Sequence, residues 1–143
     1  GLQYWPGGPG WQVQARFVAH APGKTLPIVD ITGLTTDMPN AGAVEFERDG
    51  RTWRLEAIGA PGEPLFLIFA DRTSGRGSYP AGRYLDTGAP GADGRVLIDF
   101  NHAYNPPCAF TPYATCPLAP PENRLDLRVD AGEKAYHLPE GEG

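Results

Sequence analysis

Apolar and polar positions alternate with a period of two along most of this chain. Trp11, Val13, Ala15, Phe17 and Ala19 fall on one side of a run whose other side holds Gln12, Gln14 and Arg16. That spacing predicts a half-buried strand from Trp11 to His20. Leu26 to Ile31 predicts a second strand, and Pro27, which has no N–H to donate, places it at an edge. Thr32 to Gly42 has no such pattern and reads as loop.

Ala43 to Ile58 predicts a hairpin closed by Asp49-Gly50, the dipeptide a type I′ turn prefers because both central residues need positive φ. The turn sets the register. Phe46 then faces Trp53, Val44 faces Leu55, Arg48 faces Arg51, and Glu45 meets Arg54 as an opposite-charge pair. A slip by one residue would turn every apolar side chain outward.

Leu65 to Ala70 is apolar throughout, which predicts a central strand covered on both faces. Arg83-Tyr84-Leu85-Asp86 and Val96 to Phe100 are short strands around an Ala89–Gly94 turn. Leu125 to Val129 alternates again and predicts a last hairpin, through Asp130-Ala131-Gly132, with Glu133 to Leu138. Residues 1–10 form an irregular opening with aromatic anchors, and the acidic residues 139–143 a frayed tail.

Composition sharpens this picture. Nineteen Gly and sixteen Pro among 143 residues oppose helix, and no run has a helical period of useful length. The expectation is a single all-β domain over 1–143, an antiparallel β-sandwich or partly closed β-barrel with long Pro/Gly-rich loops. The net charge of -5 argues against a nucleic-acid partner. The longest apolar runs are too short for a transmembrane segment. No signal peptide is visible, and because Gly1 is not an initiator Met the sequence does not tell whether an N-terminal segment has been removed.

Candidate chemistry concentrates from Asp99 to Leu125, which holds both cysteines, His102, Asn101 and Asn105. Cys108 and Cys116 have seven residues between them. They suit a loop-closing disulfide, a metal site with His102 as third ligand, or two buried thiols; the spacing is not that of a knuckle or ribbon, so no metal site is assigned. Asp99 and Asn101 project to the same side of their strand. They either face a pocket with Tyr104 and Asn105, or cap the backbone of their own loop. Asp71 to Gly75, with Arg72, Arg76 and Arg83 nearby, reads as an anion cradle or as a solvated turn, and lacks the ending of a P-loop. Tyr4, Trp5 and Trp11 read as core plugs. His20 and His137 occupy alternating strand positions that require no special role.

A compound motif runs through the second half. It comprises Asp71-Arg72-Thr73-Ser74-Gly75, Gly82-Arg83-Tyr84-Leu85, Asp99-Phe100-Asn101, Ala103 to Ala109, Cys116-Pro117-Leu118, Glu122-Asn123-Arg124-Leu125 and Ala131-Gly132-Glu133-Lys134. With these residues the stretch from Phe69 to Tyr136 resembles a bacterial family known only as domain of unknown function 1684. Gly1-Leu2-Gln3-Tyr4 and the Phe46–Leu55 hairpin resemble it more loosely. Where Gly77 stands the family is expected to carry an acidic residue. The resemblance implies a fold and a site location, not a reaction or a cofactor.

The functional expectation is a small-ligand or metal-binding module. Its polar site would lie beside the 99–123 loop, lined by Asp71, Arg83, Tyr84, Asp99, Asn101, Tyr104, Asn105 and Glu122. The alternatives are a hydrolase using Asp99, His102 and Glu122, and a structural or protein-interaction module without a cleft. The chain is expected to be soluble, and extracytoplasmic if Cys108 and Cys116 are oxidised.

Overall fold

A computed structural model describes residues 2–136. The Asp49-Gly50 turn folds as its residues require, with φ of 52° and 74°. It joins β4 (Gly42–Arg48) to β5 (Arg51–Ala57) in the expected register, Phe46 opposite Trp53 and Glu45 opposite Arg54. β1 (Gln12–Ala19) lies on the other side of β4, and β8 (Arg95–Asp99) pairs with β1. The result is an antiparallel sheet of order β5-β4-β1-β8.

Two further antiparallel ribbons complete the fold, β2 (Thr25–Val29) with β3 (Thr35–Pro39) and β6 (Phe66–Phe69) with β7 (Arg83–Asp86). The fold is all-β with open sheets, and none of them closes into a barrel. Helical geometry among the described residues is confined to short 3-10 turns such as Pro121–Asn123.

The β6–β7 ribbon is the middle layer, and its period-two alternation explains how. Leu67, Phe69 and Leu85 face a core built with Val44, Phe46, Leu55 and Ile98 of the four-stranded sheet. Ile68, Ala70 and Tyr84 face a second core with Leu26 and Ile28 of β2 and with Cys116 and Ala119. A strand with both faces covered cannot alternate in hydrophobicity, so it appears in sequence as an unbroken apolar run.

Tyr4, expected as a core plug, is instead exposed. Two further expectations need correction. Thr35–Pro39 is a strand, not loop. It pairs only with β2 and turns little but Met38 toward the core, so no apolar alternation marks it. The second concerns residues 125–131. Their side chains do alternate, with Leu125, Leu127, Val129 and Ala131 buried. Yet no final hairpin forms among the described residues, and the expected strand to Leu138 runs past Tyr136. The segment's backbone groups are taken one at a time by unrelated neighbours. Ala70 accepts from the Leu125 N–H, Leu127 accepts from Arg72, and Asp130 and Gly132 accept from Gly7 and Trp5.

Candidate functional site

The partner that most tightly holds the 125–133 segment is a side chain. Arg83 projects from β7 on the Phe69 side, and its guanidinium sits 5.2 Å from the Phe69 ring. It donates to the carbonyls of Val129 (2.9 Å), Ala131 and Glu133 (3.2 Å). Asp71 lies 3.5 Å away and accepts from the Val129 N–H at 2.7 Å, and from the Thr73 hydroxyl and N–H. Both side chains are 0% exposed. Burial pulls the Arg83 pKa down against the opposing charge of Asp71. The two residues meet as predicted, and what they grip is backbone. They act as a substitute strand for a segment that has none.

The other predicted residues gather in pairs. Asp99 caps its own turn by accepting from the Asn101 N–H at 3.0 Å, and Asn101 grips both the N–H and the carbonyl of Gly8. Tyr84 and Tyr104 exchange backbone hydrogen bonds; the Tyr84 hydroxyl donates to Pro117 and that of Tyr104 to Asp86 at 2.8 Å. Burial is the chief reason the Tyr84 hydroxyl is pushed up to about 12, with Tyr79 adding to it. Burial also raises Tyr104, helped by Asp86. Asn105 donates to Glu133 and to the Lys134 carbonyl. Glu122 is exposed, with no hydrogen bond or ion pair among the described residues.

Cys108 and Cys116 form a disulfide, their Cα atoms 6.0 Å apart. Both sulfurs are thereby used, so neither is a thiolate ligand. His102 is not beside them. It is 80% exposed, and its Nε2 stands 3.8 Å from Asp99. This His–Asp pair, with Asp86, Asp93 and Arg95, borders a polar cleft of about 650 Å³. The cleft adjoins the start of the 99–123 loop, and of the predicted residues only Asp99 and His102 border it.

A second cleft, of about 450 Å³, opens where β1 ends, between the β2–β3 ribbon and the 59–62 turn. Phe17, Ala19, Pro22, Pro39 and Pro61 make its walls apolar. Gly42 lets the Phe17 ring lie directly on the backbone, since a Cβ there would stand 2.4 Å from that ring. The polar residues are His20, Lys24, Thr25, Asp37 and Asn40.

Two of these are fixed from behind. Asn40 is buried and donates its amide to the carbonyls of Gly42 and Ala57, which turns its Oδ1 toward Lys24; the ammonium donates to it at 3.1 Å. His20 Nε2 lies 2.6 Å from Glu56 Oε1. Burial works to raise the Glu56 pKa, but hydrogen bonds from His20 and Arg54 outweigh it and hold the carboxyl below its ordinary value. Glu56 is therefore ionised at neutral pH and accepts the Nε2 proton. Its own backbone is clamped by Asn123, which also donates to the Ile68 carbonyl. His20 Nδ1 has no partner among the described residues and is not sealed from solvent. It can accept a proton or, in the imidazolium form, donate one.

A family model described as "Protein of unknown function (DUF1684)" matches residues 1–134, further toward the N-terminus than the motif-bearing half. The chain belongs to the DUF1684 family. A solved structure supports the assignment. The solution NMR structure of the uncharacterized protein from gene locus rrnAC0354 of Haloarcula marismortui is 31% identical, with a TM-score of 0.73. The match covers 94% of this chain and 76% of that one. No curated protein matches.

The residues that carry the resemblance to DUF1684 include several that clamp this fold: Asp71, Arg83, Asn101, Asn105 and Asn123. Gly77, where the family is expected to carry an acidic residue, lies against Trp5; a Cβ there would stand 2.6 Å from its ring. Sequence reasoning passed over His20 and Lys24. The signal was faint: a histidine ending a strand, a lysine just after a Pro-Gly turn, and a glutamate in β5 without an obvious partner.

Proposed function

We propose that this DUF1684 protein is a small-ligand-binding β domain and that its ligand occupies the 450 Å³ cleft at the end of β1. One observation carries the reading. Two polar side chains that border the cleft, His20 and Lys24, are held by residues that are themselves fixed, and each keeps hydrogen-bonding capacity unspent among the described residues. Apolar walls with a few fixed polar groups are the usual make-up of a ligand site, and the volume is in the usual range of roughly 300–1,000 Å³. A preset donor geometry lowers the ordering cost of binding.

A fragment titration followed by amide chemical shifts tests it. Binding is expected to move the amides of His20, Lys24, Asn40 and Gly59. Shifts confined to Asp86, Arg95 and Asp99 would move the site to the polar cleft, the second reading, which is favoured by the Asp99–His102 pair at its border. The disulfide supports an oxidising, extracytoplasmic compartment. Alkylation of protein taken directly from its source checks this: no added mass before reduction is expected, and labelling of Cys108 and Cys116 without reduction would overturn it.

A further inference from the structure

We propose that the ligand of the His20–Lys24 cleft is a small amphiphilic carboxylate, its acid group held by the Lys24 ammonium and its apolar body lying against Phe17, Pro39 and Pro61. This rests on the cleft being the ligand site. The charge sign follows from which groups are preset. Lys24 donates to a neutral amide oxygen, and no carboxylate of the described residues pairs with it within 4.0 Å. An ammonium has three protons to donate, so the bond to Asn40 leaves two for a ligand. His20, pinned by Glu56, borders the same end of the cleft.

One carboxylate, Asp37, also borders the cleft and argues for a cation. It stands on an exposed strand and accepts no hydrogen bond from any described residue, so its position is not fixed in advance. Along the ribbon it lies opposite Pro27, while the Lys24 carbonyl bonds Asn40 three positions further on. The backbones of Asp37 and of Asn40, the residue whose side chain holds the Lys24 ammonium, are therefore about 10 Å apart along the chain. The polar end of the cleft is thus a donor end. The wall is apolar enough that a bare inorganic anion would leave most of it uncovered.

Three matched probes decide the matter: 4-phenylbutanoate, 4-phenylbutanol and 4-phenylbutylamine, titrated against the chain and against Lys24→Met. Amide shifts report location and affinity together. The carboxylate is expected to bind about tenfold tighter than the alcohol, the gain of one charge-assisted hydrogen bond. Lys24→Met is expected to erase most of that preference, lowering the acid's affinity far more than the alcohol's. Equal binding of acid and alcohol, tightest binding of the amine, or a preference that survives in Lys24→Met overturns the carboxylate assignment and leaves the cleft standing as a ligand site. If none of the three moves the cleft amides, both readings fall.

Discussion

Two polar clusters in this protein look alike in composition and differ in what they leave open. Around Asp71 and Arg83, almost every donor and acceptor is consumed by backbone, and the pair is sealed beneath the middle layer. Around His20 and Lys24, the groups behind are equally well held, by Glu56, Asn40 and Asn123, but the front of each side chain faces a cleft. Both contain a cation fixed by a partner. A cluster that satisfies itself holds a fold together; one fixed on a single side is prepared for something else. Burial alone does not separate the two roles, and counting the hydrogen bonds each group can still make does.

The largest effect should come from breaking the sealed cluster. Arg83→Met strands the carbonyls of Val129, Ala131 and Glu133 and leaves the Asp71 carboxylate buried without its counter-charge. Breaking such a pair from one side costs about 3–5 kcal/mol, a large share of a small domain's stability. Urea unfolding should show that loss. Arg83→Lys should recover part of it, because it restores the charge without the planar fork that spans several carbonyls. If Arg83→Met unfolds at the wild-type midpoint, the guanidinium is not what holds residues 125–133 in place.

How much of this was written in the sequence depends on the reach of the interaction. The β4–β5 register was readable to the residue because a two-residue turn and cross-strand pairs fix it locally. The apolar run of β6 announced a strand covered on both faces. The segment 125–131 showed the right alternation and led to the wrong partner, because its hydrogen bonds go to Arg83, Arg72, Ala70, Gly7 and Trp5, which no local pattern connects. The same holds for the site. The stretch from Asp99 to Leu125 drew attention by its density of polar groups, and that density serves to pin a loop-rich backbone. Asn101 grips Gly8, Asn105 grips residues 133 and 134, and Asn123 clips β5 to β6. His20 depends on Glu56 and Lys24 on Asn40, pairs set by the β1–β4–β5 stacking and the β2–β3 ribbon rather than by any motif.

A smaller loss should follow from opening the disulfide, which closes the 108–116 loop at the second core. Closing a loop this short is worth about 2–3 kcal/mol in the chain-entropy model. The double substitution Cys108→Ser and Cys116→Ser should lower the unfolding midpoint accordingly. It should leave the cleft's ligand shifts unchanged, since neither cysteine borders the cleft. Loss of those shifts would tie the cleft to the loop and blur the division between the two clusters.

Glu56 sets a pH limit on the open cluster. Its folded pKa lies below the ordinary value, so the ionised form is favoured by folding. That contribution is complete above the unfolded carboxyl range near pH ~4.3 and is lost as the pH falls through the lower folded value. Glu45 shifts in the same direction through hydrogen bonds from Arg16 and Arg54. Stability measured by urea midpoint from pH 7 to pH 3 should decline on the acid side. Glu56→Gln should flatten part of that decline, and an unchanged acid slope in the variant would mean the His20–Glu56 bond carries no folding energy.

The smallest effect on stability is the most informative about the comparison. Lys24 is exposed, and its one side-chain hydrogen bond among the described residues is to an amide that the Gly42 and Ala57 carbonyls already hold. Removing its charge by Lys24→Met should change unfolding stability by less than about 0.5 kcal/mol, as for most surface positions. Arg83 and Lys24 are both cations anchored to a fixed partner, yet one substitution should cost several kcal/mol and the other almost nothing. The difference is what each cation still has to give. Arg83 has spent all of its side-chain nitrogens but Nε on its own chain, whereas Lys24, which borders the cleft, gives one proton to Asn40 and keeps two. A Lys24→Met variant destabilised as strongly as Arg83→Met would show that this ammonium also serves the fold, and the cleft would then lose its main claim to a ligand.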